Sequence, residues 1–489
     1  MENSTTEIRG SIREGAARRD APPPEQVPIR FGTDGWRGRI AEEITLAGMR
    51  RCAAGIAAYL REAGKAGTPV AAGYDGRFLS RRFAVEIASI LSREGFVPIL
   101  SPEPVPTPAL SFRVVGAGAS LGVMITASHN PPEYSGVKLK DHDGGTLEPE
   151  PTERMARGIP ALDPSPAAGV DLPRHPSFIP SYLRAVRSRT AIRAIRSARL
   201  RVVADSMHGM GGLLLEQVLS GGRIRVRTLR HRSDPLFGGS NPEPVARNLG
   251  MLLREVRKDR AAAGFATDGD ADRIAACDER GRFLSPLTLL PVLALHFIQN
   301  RGERGGIAKT FAGSLRMERI ARRHGLPFHD LPVGFKHVAR LLRKNEILVG
   351  GEESGGFGFR GFIPERDGIL SSLLLLEAMV LSDLPFSGLV ARMEKEYGRF
   401  AYDRIDLVCP PEVGRRIAGK LAESPPRAVA GMRVTEVNRL DGVKLVFGED
   451  GWLLFRPSGT EPVLRLYCEA PSRAAVRAAL LQAKSLVTR

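Results

Sequence analysis

A serine, an alternating run of three aspartates, a pair of glutamates and an arginine fork stand in four short loops of this sequence, and each suits a different piece of chemistry. In TASHNPPEYSGVKLK, Thr126 to Lys140, Ser128 follows the apolar run Leu121 to Ile125 and precedes two prolines. Asn-Pro and Pro-Pro are turn signals, so a plain loop is one reading. An acyl-transfer serine needs a strand-to-helix elbow of the G-x-S-x-G kind, and the prolines argue against that. A serine that carries a phosphoryl group needs an exposed loop with cationic and amide neighbours, which His129, Asn130 and Lys138 offer. In TDGDADR, Thr267 to Arg273, the carboxylates of Asp268, Asp270 and Asp272 can converge on one hard cation if the backbone turns tightly, which Gly269 permits. The same spacing opens an EF-hand, with Glu279 at its twelfth position, but Arg273 stands where that loop needs glycine and both flanks read as strands. A solvated acidic turn is the remaining alternative. Three carboxylates leave a magnesium ion room for a phosphate oxygen.

The third loop, GGEESGGFGF from Gly350 to Phe359, has the glycines of a phosphate cradle, yet Glu352 and Glu353 repel phosphate. Paired glutamates accept hydrogen bonds from vicinal hydroxyls, and an acidic hairpin turn is the alternative. The fourth, RPSGTEP, offers the planar fork of Arg456 with Ser458, Thr460 and the amides around Gly459 as phosphate donors, or else a type II turn. All four loops fall where a strand ends, the place where open α/β sheets bind ligands.

The elements that must position them repeat. TPVAAGYDGRFLSRRFAVEIASILSREGFVPIL reads as strand, glycine turn, amphipathic helix, glycine stop and strand. The wording returns in LRVVADSMHGMGGLLLEQVLS and in GIAKTFAGSLRMERIARRHGLPFHDL, which predicts three similar α/β units. After residue 396 shorter strands and a last helix from Ser472 predict a smaller α+β unit. Residues 1–27 are polar and proline-rich, the composition of a mobile arm.

At 489 residues the chain exceeds a single core, and domains of about 100 to 200 residues predict three or four. The longest apolar stretch, Leu370 to Leu381, is broken by Ser371, Ser372 and Glu377 and falls short of the roughly 20 residues of a membrane span, so it reads as a buried helix. MENSTTEIRG lacks the apolar segment of a secretion signal, and Cys52, Cys277, Cys409 and Cys468 show no metal or disulfide spacing. Both features predict a cytoplasmic protein with reduced thiols. The net charge of +17 is spread without any block of five or six Lys/Arg, and aromatics are only 6%. No nucleic-acid or membrane partner is expected from that pattern, and a basic surface suits anionic small molecules.

Taken together the loops resemble those of the α-D-phosphohexomutases, the phosphoglucomutase and phosphomannomutase family. FGTDGWRG, TASHNPPEYSGVKLK, DGDADR, GEESGG and RPSGTEP stand in that family's order from about Ile29 to the C-terminus. The resemblance implies three similar α/β domains with mixed sheets and a smaller C-terminal α+β domain around a central cleft, and the repeated wording of the sequence places them at about 28–165, 166–283, 284–395 and 396–489. It implies that Ser128 is the phosphoserine and that its phosphate joins Asp268, Asp270 and Asp272 around one Mg2+. Arg37 and Arg273 would steady the transferring group, and Lys138 and His129 would move protons. Glu352 and Ser354 would read sugar hydroxyls, Lys309 and Lys336 would face the substrate, and Arg456, Ser458, Gly459 and Thr460 would hold the phosphate that does not react.

The implied reaction interconverts hexose 1-phosphate and hexose 6-phosphate through glucose 1,6-bisphosphate or its analogue, which doubles as activator, in a monomer or weak homodimer. GEESGG departs from the GEQSGH of phosphoglucosamine mutases and the GEMSGH of dual-specificity enzymes, which puts glucose first and mannose next. A phosphoglucosamine mutase and a magnesium-dependent sugar phosphatase are the alternatives, and a phosphatase has little use for the clamp at Arg456 to Thr460.

Overall fold

The computed structural model describes residues 27–487 apart from 33, 168 and 459–462. All but the last residue of the arm expected at 1–27 therefore lie outside the described residues, as do Gly459 and Thr460.

Three mixed sheets repeat one topology. In the first, Pro69–Tyr74 runs parallel to Val97–Leu100 on one side and to Leu121–Ile125 on the other, and Tyr134–Asp141 returns antiparallel to Leu121–Ile125. Trp36–Arg39 completes the edge. The second sheet sets Arg201–Asp205 between Arg225–Leu229 and Ala263–Thr267, with Ile274–Asp278 antiparallel to the latter. The third sets Gly306–Thr310 between Phe328–Leu331 and Ile347–Gly351, with Phe357–Phe359 antiparallel. In each sheet the last parallel strand passes to the antiparallel one through a single loop, and these loops span 126–133, 268–273 and 352–356. They carry Ser128, the three aspartates, and Glu352 with Ser354.

Local physics explains the repeated wording. The central strands Leu121–Ile125, Ala263–Thr267 and Ile347–Gly351 are buried along their whole length, as strands covered on both faces must be. Helix Ser80–Arg93 buries Phe83, Ala84, Ile87, Ile90 and Leu91, a stripe of helical period. Helix Leu315–His324 starts at Ser314, whose side chain accepts from the Arg316 amide, and stops at Gly325 with φ 62°. The stretch expected as a buried helix forms Gly368–Ser382, buried from Gly368 through Met379 and capped by Asp367. No single helix among the described residues is long and apolar enough to cross a membrane, and the four cysteines are free thiols.

The C-terminal unit is an antiparallel sheet in the order Ala401–Val408, Val463–Ala470, Trp452–Pro457, Val443–Val446 and Glu436–Asn438, with helices Pro411–Glu423 and Arg473–Val487. Trp452, Leu454 and Tyr467 pack on Leu287, Phe311 and Ala312 of the third unit, and Glu469 caps the Leu315 amide at 2.9 Å.

Candidate active site

Strand Leu121–Ile125 ends at Thr126, whose Oγ1 accepts the Ser128 amide at 2.9 Å. Ser128 then takes a left-handed conformation, φ 53°, which costs a residue with a Cβ roughly 1–2 kcal/mol. Arg77 holds it there. Its fully buried guanidinium donates to the carbonyls of Ser128, Asn130 and Pro131 at 2.7 Å and Tyr134 at 3.0 Å, pairs with Asp75 at 3.1 Å, and lies 4.8 Å from the centre of the Phe237 ring. Ser128 Oγ donates to Asp268 Oδ2 at 2.6 Å. The expectation of an exposed serine loop is overturned: Ser128 has no accessible surface, because the backbone of the aspartate loop closes on it. A Cβ on Gly269 would stand 2.4 Å from the Ser128 carbonyl oxygen.

That contact also corrects the reason for the glycine. Ala271, not Gly269, takes the left-handed turn, φ 57°, and Gly269 is needed for the close approach of another domain. The aspartates do converge: one carboxylate oxygen from each of Asp268, Asp270 and Asp272 lies within 4.8 Å of the others. Asp270 accepts from Thr107 Oγ1 at 2.6 Å and Lys138 Nζ at 2.7 Å, and Asp272 from Lys138 Nζ at 2.7 Å. The Oδ1 atoms of Asp270 and Asp272 are buried without a hydrogen-bond partner. Burial and the two neighbouring carboxylates hold the Asp268 proton affinity well above the usual range. Buried hard oxygens with spare lone pairs and mutual repulsion fit a divalent cation such as Mg2+.

Cations ring this centre. Lys138 Nζ also lies 3.3 Å from Asp34, and although burial opposes its charge, Asp270, Asp272 and Asp34 outweigh that and keep it an ammonium. Arg37 donates to Asp34 and Asn130, both at 2.9 Å. The Arg273 amide donates to Asp268 Oδ1 at 3.1 Å, while its buried guanidinium Nε makes no hydrogen bond but lies 3.9 Å from Asp272 and 4.0 Å from Asp268. His129 is half-buried. Burial, then the charges of Arg273, Arg37, Arg404 and Lys138, push its pKa well below the usual value, so the ring is neutral, and its Nδ1 has no partner.

Four residues at this centre escape a reading by motif. Arg366, ahead of the long buried helix, bonds to Asp34 and Asp272 at 2.8 Å and Glu352 at 3.3 Å, joining the loops of three domains. Asp34 lies inside the quoted FGTDGWRG, yet its partners show only in the fold. Thr107 belongs to no quoted stretch, and Arg77 lies in one whose wording gave only a strand, a turn and a helix.

The residues expected to read the sugar and hold the second phosphate come from the third and fourth units. Glu352 accepts from the Gly334 amide at 3.1 Å, and burial, against the pull of Arg366, raises its pKa to about 7. Ser354 is half-buried in the same loop, and Lys336 is half-buried with no hydrogen bond or ion pair among the described residues. Lys309 is buried and pairs with Asp330 at 2.6 Å. Arg456 pairs through Nε with Asp441 at 2.9 Å, and Ser458 is buried beside it at the strand end.

A hydroxyl set on a carboxylate, hard oxygens for a cation and a ring of fixed positive charge can accept, shield and release a phosphoryl group, which makes this a phosphoryl-transfer centre built between domains. Models of the phosphoglucomutase/phosphomannomutase alpha/beta/alpha domains I, II and III match residues 28–164, 180–281 and 287–397, and that of the C-terminal domain matches 416–482. A phosphoglucomutase/phosphomannomutase of Thermococcus kodakarensis is 32% identical over 450 residues, 91% of this chain and 96% of the relative. A protein of Methanothermobacter thermautotrophicus bearing the name phosphoglucosamine mutase is 32% identical over 466 residues, 93% and 96% of the two chains. A crystal structure of a Thermus thermophilus protein named as a phosphomannomutase superposes with a TM-score of 0.86 at 36% identity, covering 95% of this chain and all of that one. This chain belongs to the phosphoglucomutase/phosphomannomutase family, and it is a phosphohexomutase.

Proposed function

We propose that the chain interconverts hexose 1-phosphate and hexose 6-phosphate through phospho-Ser128 and a hexose 1,6-bisphosphate, with glucose as first substrate and mannose next. The observation that carries this reading is the placement of Ser128 Oγ, 2.6 Å from Asp268 in the aspartate loop of the second domain. A sugar hydroxyl oxygen attacks the phosphorus of phospho-Ser128, the bond from phosphorus to Ser128 Oγ breaks, neutral His129 takes the hydroxyl proton, and the Lys138 ammonium gives a proton to Ser128 Oγ. Lys138, held as an ammonium, and Arg37 and Arg273 face the negative charge on the transferring oxygens. Asp268, Asp270 and Asp272 would hold a divalent cation, which supplies further shielding of that charge. Glu352 and Ser354 accept the sugar hydroxyls, Lys309 and Lys336 face the substrate, and Arg456 and Ser458, with Gly459 and Thr460, grip the other phosphate. The bisphosphate then reverses, its second phosphoryl group returns to Ser128, and the isomeric monophosphate leaves.

Coupled assays with glucose, mannose and glucosamine 1-phosphates, with and without a trace of glucose 1,6-bisphosphate, test the proposal. Glucose 1-phosphate should turn over fastest, the bisphosphate should stimulate it, and Ser128→Ala should abolish it without loss of fold. Undiminished turnover in Ser128→Ala removes the phosphoserine, and glucosamine 1-phosphate as best substrate removes the glucose assignment.

A further inference from the structure

Two consecutive backbone amides of the third domain face carboxylates that serve different tasks. Val333 N–H donates to Asp441 Oδ2 at 2.8 Å, and Gly334 N–H donates to Glu352 Oε1 at 3.1 Å. The same Asp441 Oδ2 accepts Arg456 Nε at 2.9 Å. Gly334 sits at φ 129°, ψ 120°, which residues with a side chain rarely adopt, so a glycine sets the bend between the two amides.

We infer that Asp441 is a positioning residue that keeps the Arg456 fork in register with the hydroxyl acceptor Glu352 through the consecutive amides of Val333 and Gly334. This rests on the roles proposed above for Arg456 and Glu352. With Nε tied to Asp441, the guanidinium plane is fixed and its two Nη groups lie on the opposite edge, where a phosphate takes a bidentate grip. The distance from the idle phosphate to the sugar hydroxyls is set by the substrate, and both orientations of the bisphosphate must meet it. A clamp on the fourth domain and an acceptor on the third keep that distance only if the domains are tied near both. The tie is itself rigid. Gly442, φ 97°, turns the chain so closely on strand Trp452–Pro457 that a Cβ there would lie 2.4 Å from the Phe455 carbonyl oxygen, which holds Asp441 beside Arg456. A second bridge lies close by in the chain: Lys444 Nζ is 3.7 Å from Asp330, the partner of Lys309.

The test is a double-mutant cycle on the full-length enzyme. Asp441→Ala should raise the KM for glucose 1-phosphate about tenfold or more, the worth of one lost charge-assisted hydrogen bond, with kcat within about threefold. Combined with Glu352→Gln, the KM effects should fall short of multiplicative by at least about threefold, because both substitutions loosen the same two-residue segment. Asp441→Asn, which keeps an acceptor, should rise less in KM and retain the thermal midpoint, and it replaces Asp441→Ala if that variant does not fold. Multiplicative effects, or an Asp441 variant that folds and keeps the wild-type KM, overturn the inference. Arg456→Lys measured alongside separates the two levels: a raised KM there with an unaltered Asp441 variant removes the coupling and leaves the clamp, whereas an unaltered Arg456→Lys removes the clamp.

Discussion

Gly269→Ala tests whether the centre depends on two domains touching backbone to backbone. The added methyl would sit 2.4 Å from the Ser128 carbonyl oxygen, about 1 Å inside an ordinary van der Waals contact. Neither side yields easily, since Arg77 holds that carbonyl at 2.7 Å and the Met210 amide donates to the Gly269 carbonyl at 2.9 Å. The two loops must therefore part by something near 1 Å. The hydrogen bond from Ser128 Oγ to Asp268, 2.6 Å in the native site, then passes out of range. A misplacement of that size costs about 10²-fold in rate, or roughly 2.7 kcal/mol of barrier. The fold should survive, because the clash lies between two separately packed sheets. Initial rates in the coupled mutase assay, thermal unfolding, and intact-mass detection of phospho-Ser128 after incubation with glucose 1,6-bisphosphate read the three consequences. A Gly269→Ala enzyme within about twofold of wild-type kcat would refute the reasoning.

Removing divalent cations should stop turnover and adding Mg2+ should restore it, while Asp270→Asn should weaken Mg2+ binding measured by calorimetry; full activity after exhaustive chelation would contradict the assignment. Glu352 gives a pH signature. Its folded pKa of about 7 stands above the ordinary 4.5, so the folded protein holds an extra proton between those values and this group's contribution to stability falls as pH rises through that window. Wild type should thus lose stability relative to Glu352→Gln between about pH 4.5 and 7, by at most about 3 kcal/mol, and parallel denaturant-derived curves for the two proteins would rule this out.

Much of the architecture was legible because it is local. Strand, turn, helix and glycine stop follow each other within a few tens of residues, and so the three repeated units could be read from TPVAAGY, LRVVAD and GIAKT onward. The aspartates were legible for the same reason, since alternate positions in one loop need only a turn to converge. The rest is tertiary. Arg366 reaches Asp34 across 332 positions of chain, and Thr107 reaches Asp270 across 163, so no spacing rule could pair them. Gly269 was misread because a glycine in an acidic loop suggests a turn, whereas its use is set by a carbonyl from another domain. Ser128 reads as exposed for a similar reason: its own loop leaves the end of a strand, and the aspartate loop that closes on it comes from the neighbouring domain.

The three loops leave their sheets at the same connection, so the proposed nucleophile, cation ligands and hydroxyl acceptors occupy one structural position repeated three times. On the proposed roles such a centre is open to editing one copy at a time, and a change in the loop at 352–356 should retune the sugar without touching the serine. Arg366 sets the limit. Bound at once to carboxylates of the first, second and third domains, it makes the copies interdependent. A chimera that exchanges one domain with a relative should keep the reaction only when Arg366 and its partners Asp34, Asp272 and Glu352 are inherited as a set.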